Sequence, residues 1–205
     1  MIVRNDAVAT AHNILTHDLL YRLGLAADLV SVICYVGVTA FLYALLRPAG
    51  RSASLLAAFF SLAGCTIMAG NLINHIAPLI LLGNAPYLTP FNAAQLQALA
   101  MLFLKLQSYG YVIATMFFGL YCFTLGWLIV HARFMPRILG VLLAIGGLCY
   151  LANGAAAFLA PAVATQISAY LTAPPGIAEI ALALWLSVVG VNSAKWKAQA
   201  GQPGG

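Results

Sequence analysis

From Ala53 to Leu82 the chain runs through thirty residues without one Lys, Arg, Asp or Glu. A helix of about 20 apolar residues crosses the hydrocarbon core of a bilayer, so a stretch this long and uncharged reads as a membrane span. Four comparable runs accompany it. Composition agrees: 6% of the 205 residues are charged, against roughly 25% in soluble domains. So few charges do not cover a water-facing surface. The fold class that follows is all-α, a transmembrane helical bundle of about five spans.

The spans are expected at about 21–46, 53–82, 98–130, 137–159 and 175–193, forming one bundle over 21–194. Arg47-Pro48 ends the first, and Gly83-Asn84-Ala85-Pro86 makes a turn after the second. The third apolar run starts near Asn92 and exceeds one perpendicular span, so its first turns, with Gln95 and Gln97, are expected at or above the interface. Pro136, a favoured first-turn residue, opens the fourth. Residues 1–20 read as an amphipathic outer-face segment. Asp6 can cap a helix through Ala7–Leu20, with Val8, Ala11, Leu15 and Leu19 near one face. Residues 195–205 are expected to be a disordered cytoplasmic tail. No internal repeat is evident, which disfavours an inverted-repeat transporter.

Orientation follows from the basic residues. Arg47 and Arg51, Arg133 and Arg137, and Lys195 and Lys197 fall on alternate connections, while 83–93 and 160–174 carry no charge. The positive-inside rule then places the N-terminus outside and the C-terminus in the cytoplasm of an inner membrane. The lipid bilayer is the expected partner. Nucleic acid is not, because the net +5 contains no basic run. A mixed N-terminal stretch exported without a signal suggests that a helix once preceded Met1, against a short tail that translocates unaided. A homo-oligomer or a partner helix would then replace the missing span.

Several stretches carry a resemblance. They are Tyr21-Arg22-Leu23-Gly24-Leu25-Ala26-Ala27-Asp28, Gly70-Asn71-Leu72-Ile73-Asn74, Gln95-Leu96-Gln97-Ala98-Leu99-Ala100 and Ser108-Tyr109-Gly110-Tyr111. To these add Phe117-Phe118-Gly119, Phe134-Met135-Pro136-Arg137-Ile138-Leu139-Gly140 and Ala178-Glu179-Ile180-Ala181-Leu182-Ala183-Leu184-Trp185-Leu186. Together the chain resembles an uncharacterised bacterial polytopic membrane family, a domain of unknown function. The resemblance implies a further helix before the region matching Asp6–Leu20. It implies no activity, substrate or catalytic residue.

Four ionisable side chains lie within or at the edge of the spans: Asp28, His75, Lys105 and Glu179. At 1.5 Å per residue, Asp28 and His75 each lie ~10 Å below the outer ends of their spans. Asn71, Asn74, Gln107 and Asn153 share that outer half. A charge at a helix centre costs roughly 2.5–3.5 kcal/mol, so mutual pairing is expected, with Lys105 on Asp28 or Glu179. Helical phase supports inward polar faces: Gly24, Asp28, Ser31 and Tyr35; Gly64, Met68, Asn71 and His75; Lys105, Ser108, Thr115, Gly119, Cys122 and Gly126.

Three readings of this cluster stand side by side. It fixes helix register as a structural or accessory subunit would, it lines a one-sided pocket for a small ligand or a transport step, or it serves a membrane-embedded enzyme. In the enzyme reading His75 is the base, oriented by Asp28, with Lys105 stabilising an anion. No HExxH or nucleophile elbow is present. Polarity that stops halfway disfavours a channel. No cofactor or metal is expected: one intramembrane histidine excludes a bis-histidine haem in a monomer. The cysteines Cys34, Cys65, Cys122 and Cys149 sit singly in different apolar runs, where packing is their ordinary role. Ser108 is expected to bond to its own helix backbone.

Overall fold

A computed structural model describes residues 1–201. The chain is an all-α helical bundle of α1 (Ala7–Thr16), α2 (Asp18–Leu46), α3 (Arg51–Leu81), α4 (Ala93–His131), α5 (Arg137–Leu159), α6 (Pro161–Val188) and α7 (Ser193–Ala200). Helices α2 to α6 are long and apolar enough to cross a membrane. Phe41, Leu159 and Val188 stand 79%, 84% and 81% exposed. Large apolar side chains so bare suit lipid rather than water. The protein is a multi-pass membrane protein.

Helices α2 to α5 end at Leu46, Leu81, His131 and Leu159, and α5 covers 137–159. Three expectations need correction. The fifth span is not 175–193: α6 begins at Pro161 and contains Pro174 and Pro175. A proline inside a helix removes one i→i−4 bond without ending the helix, and membrane helices tolerate the loss when nearby groups satisfy the freed carbonyl. The outer segment is not continuous to Leu20. It breaks at His17, whose φ of −118° and ψ of 40° leave the helical region. Residues 195–200 are not tail but belong to α7, capped by Asn192. The expected disorder of 202–205 lies outside the described residues.

Two compact units make up the chain, with α2, α3 and α4 contributing to both. The first comprises Met1–Tyr35 and Thr66–Tyr111. Asp6 caps α1 by accepting from the Ala9 N–H at 2.9 Å. The chain before it folds back: the Val3 N–H donates to Thr10 Oγ1 at 2.9 Å, and Asn13 Nδ2 donates to the Met1 carbonyl at 2.9 Å. The buried face of α1 is Thr10, Ala11 and Ile14, whereas Val8 and Leu15 are exposed. Ala11 and Ile14 pack with Tyr21, Leu82, Ala100 and Leu104 into the core of this unit.

The second unit comprises Val36–Cys65 and the chain from Val112 onward. Its α4 and α5 touch through two glycine pairs. A Cβ on Gly126 would stand 2.5 Å from the Gly140 carbonyl oxygen, and one on Gly147 would stand 2.5 Å from that of Gly119. Gly119 and Gly126 are seven residues apart on α4, as are Gly140 and Gly147 on α5, so the antiparallel helices meet backbone to backbone two turns apart. Lipid tails are as apolar as leucine, so close van der Waals approach is what drives helices together here. Gly190, at φ +72°, ends α6, with its N–H donating to the Trp185 carbonyl at 3.0 Å. Helix α7 then closes two helix C-termini. Trp196 Nε1 donates to the Leu45 carbonyl at 2.9 Å, and Gln199 Nε2 to the His131 carbonyl at 3.4 Å. The last carbonyls of α2 and α4 have no intrahelical partner of their own, so these bonds supply one.

Candidate functional site

In the first unit, Tyr21, Gly24 and Asp28 fall on one face of α2 by their three- and four-residue spacing, and that face meets His75 of α3. His75 Nδ1 lies 3.0 Å from Asp28 Oδ2. An ionised carboxylate only accepts, so Nδ1 carries the proton of this bond and Nε2 is left free of the carboxylate. Tyr21 fixes the ring from a second side, edge to face at 4.8 Å between centroids. Its hydroxyl donates to the His75 carbonyl at 2.7 Å. A carbonyl oxygen has two lone pairs, so the His75 carbonyl can take this hydroxyl as well as a helical N–H. At Gly24 a Cβ would stand 4.0 Å from His75 Cε1, in ordinary van der Waals contact with the ring.

The two members differ in accessibility. The His75 side chain is 12% exposed and that of Asp28 is 45% exposed. The histidine is thus a held, oriented group and the carboxylate an open one. Such a pair can bind a cation or hydrogen-bond donor at the carboxylate. It can also take up a proton at Nε2.

Beside it, Asn71 Nδ2 donates to the Gln107 carbonyl of α4 at 2.8 Å, and Asn74 Nδ2 donates to Asn71 Oδ1 at 2.9 Å. Gln107 therefore takes part through its backbone. Gly110 makes this possible, because a Cβ there would overlap the Asn71 amide. Gly110→Val should destabilise the protein by about 2 kcal/mol, combining overpacking with a broken hydrogen bond. Thermal unfolding in detergent reads this out. A melting temperature equal to that of the parent would show that the Asn71 clamp is not where the geometry puts it.

The remaining sequence candidates are placed differently. Asp28 pairs with His75 and not with Lys105, which is exposed and takes part in neither ion pair found among the described residues. The other pair is Arg22 with Asp18, both on the exposed first turns of α2, at 2.8 Å. A long lysine stem lets its ammonium leave the apolar region for a polar one, so no internal partner is required. The expected stripe on α4 also divides: Lys105 and Ser108 are exposed, while Thr115, Gly119, Cys122 and Gly126 are buried. Ser108 Oγ donates to the Leu104 carbonyl at 3.1 Å, the backbone bonding expected of it.

Asn153 and Glu179 belong to the second unit, where Asn153 is buried on α5. Glu179 sits in a second polar group that the residue types alone did not single out. Cys122 Sγ donates to Glu179 Oε1 at 3.6 Å, and Tyr150 of α5 also hydrogen-bonds this carboxyl. Within the same unit Thr39 Oγ1 and Ser61 Oγ are 2.5 Å apart, linking α2 to α3. Cys65 hydrogen-bonds Ser61. The available signal was a four-residue spacing, Ser61 to Cys65, on an otherwise apolar helix. Hydroxyls and thiols of this size are so ordinary in membrane helices that the spacing carries little weight alone. No three His, Cys, Asp or Glu side chains among the described residues come together as a metal site.

A model of a domain family of unknown function matches residues 1–190. No curated protein and no solved structure matches the chain.

Proposed function

The chain belongs to the family described as Domain of unknown function (DUF4386), and for this member we propose a bacterial inner-membrane protein that holds a small cationic or hydrogen-bond-donating ligand at Asp28. The N-terminus lies outside and the C-terminus in the cytoplasm. Six basic residues on alternate connections, against none on 83–93 and 160–174, support that orientation. The observation that carries the ligand reading is the unequal exposure of the pair, an open carboxylate held by a nearly buried histidine. An ionisable residue kept in a membrane helix is costly and marks a functional site by default. Asn71, Asn74 and the Gln107 backbone would fix the helix that carries His75. Lys105, Asn153 and Glu179 have no part in the ligand contact.

A thiol at position 28 tests this. In a chain with exposed Cys34 replaced by alanine, Asp28→Cys should react with a membrane-impermeant maleimide added outside intact cells. Reaction only from the cytoplasmic side would overturn the orientation. Reaction only with lipid-soluble reagents would show that position 28 faces acyl chains, and the ligand reading would fail.

The second reading is a purely structural polar network. The Asn71 clamp on the Gln107 carbonyl favours it, because that bond offers nothing to a ligand.

A further inference from the structure

The second unit carries a basic hollow that the Asp28 reading does not use. It measures about 480 Å³. One wall is the α4–α5 connection with Arg133 and Phe134, and the other is the α6–α7 junction with Trp185, Val189 and Lys195. Arg133 and Lys195 also border an adjoining hollow of about 350 Å³. The frame is fixed by backbone bonds. The Asn192 N–H donates to the Phe134 carbonyl at 3.3 Å, the Arg133 N–H donates to Gln199 Oε1 at 3.0 Å, and Asn192 Oδ1 accepts from the Lys195 N–H at 3.0 Å.

Among the described residues, no carboxylate side chain lines the hollows with these two cations. All four acidic residues are Asp6, Asp18, Asp28 and Glu179, and none lines either hollow. Both side chains are exposed, so an anion from outside the chain can serve as their counter-charge. Trp185 and Val189 make the adjacent wall apolar and belong to the end of a spanning helix, where acyl chains run. A cationic mouth beside an apolar wall matches a lipid with an anionic headgroup. A free anion would leave the wall unused.

We propose that Arg133 and Lys195 form a headgroup site for an anionic phospholipid, whose phosphate lies between them and whose chain packs along Trp185 and Val189. Each basic residue near a membrane surface contributes about 5-fold in lipid affinity. Removing both should therefore weaken the preference for anionic lipid roughly 25-fold if the two act independently.

The whole protein, in vesicles of phosphatidylcholine with a small fraction of chain-brominated lipid, provides the test through tryptophan quenching. Trp127→Phe in the parent leaves Trp185 and Trp196 as reporters at this end. Brominated phosphatidylglycerol should quench more than brominated phosphatidylcholine. Arg133→Gln with Lys195→Gln should abolish the difference, while Lys197→Gln, which lines neither hollow, should retain it. Equal quenching by the two lipids in the parent would overturn the proposal. So would a preference that survives the double substitution, or is lost equally with Lys197→Gln. Reversal by millimolar inorganic phosphate would assign the site to a soluble anion and overturn the lipid assignment.

Discussion

Gly126→Val and Gly140→Val should each destabilise the protein by about 3 kcal/mol, the upper end for overpacking, and lower its detergent melting temperature well beyond any surface change. The neighbour met by each new Cβ is backbone. At Gly126 it is the Gly140 carbonyl at 2.5 Å, and at Gly140 it is the Gly126 carbonyl at 2.5 Å. A carbonyl cannot swing aside as a leucine tip can, so α4 and α5 must part and forfeit contacts along their seam. The two changes act on one contact and should not add. Gly37 and Gly70 meet nothing within 4 Å of a new Cβ, so alanine there should be neutral or stabilise by up to ~1 kcal/mol, following helix propensity. If Gly126→Val melts with the parent while Gly37→Ala does not, the α4–α5 seam has been misplaced.

His75→Leu should cost about 2 kcal/mol, below the 3–5 kcal/mol typical of a fully buried broken pair because Asp28 is partly open. The lost partner leaves a carboxylate on an apolar helix, and Tyr21 loses the ring against which it is packed. Adding Asp28→Leu should restore stability to the parent value or above it. Replacing both members of an ion pair by apolar residues is often neutral or stabilising. The double variant would then be a folded protein without the carboxylate, which separates the ligand reading from the structural one. Unfolding curves of the parent, the two single variants and the double variant form the cycle. A double variant as unstable as the sum of the singles would mean that His75 and Asp28 act independently.

Much of the candidate site was visible in the chain because intramembrane polarity is rare. Asp28, Asn71, Asn74 and His75 stand out in apolar runs, and the pitch of α2 and α3 gives each a definite face. Their partners were less legible. Gln107 was singled out for an amide side chain, yet it is its carbonyl that Asn71 reaches. Lys105 was expected on Asp28 or Glu179 from charge and depth, whereas Asp28 pairs with His75, the partner that the enzyme reading gave it. Glu179 was grouped with Asp28 by depth, while its bonds run to Cys122 and Tyr150 within another unit. Depth along a helix is local information, but the neighbour across a helix pair is not.

What the sequence by itself determined is the material of the protein: apolar lengths that require lipid, charges and turns that end most spans, and one cap, Asp6, that starts the first helix. These rest on how a segment meets its solvent and need no partner. Tertiary structure alone decided which glycines are seams, since Gly126 and Gly37 are identical in type and differ only in what faces them. It also decided that Pro174 and Pro175 lie inside a helix rather than at its start, and that Trp196 and Gln199 close α2 and α4 from an eight-residue helix. In each case the outcome depends on whether a distant segment supplies a contact or a hydrogen-bond partner, and no local window of residues contains that information.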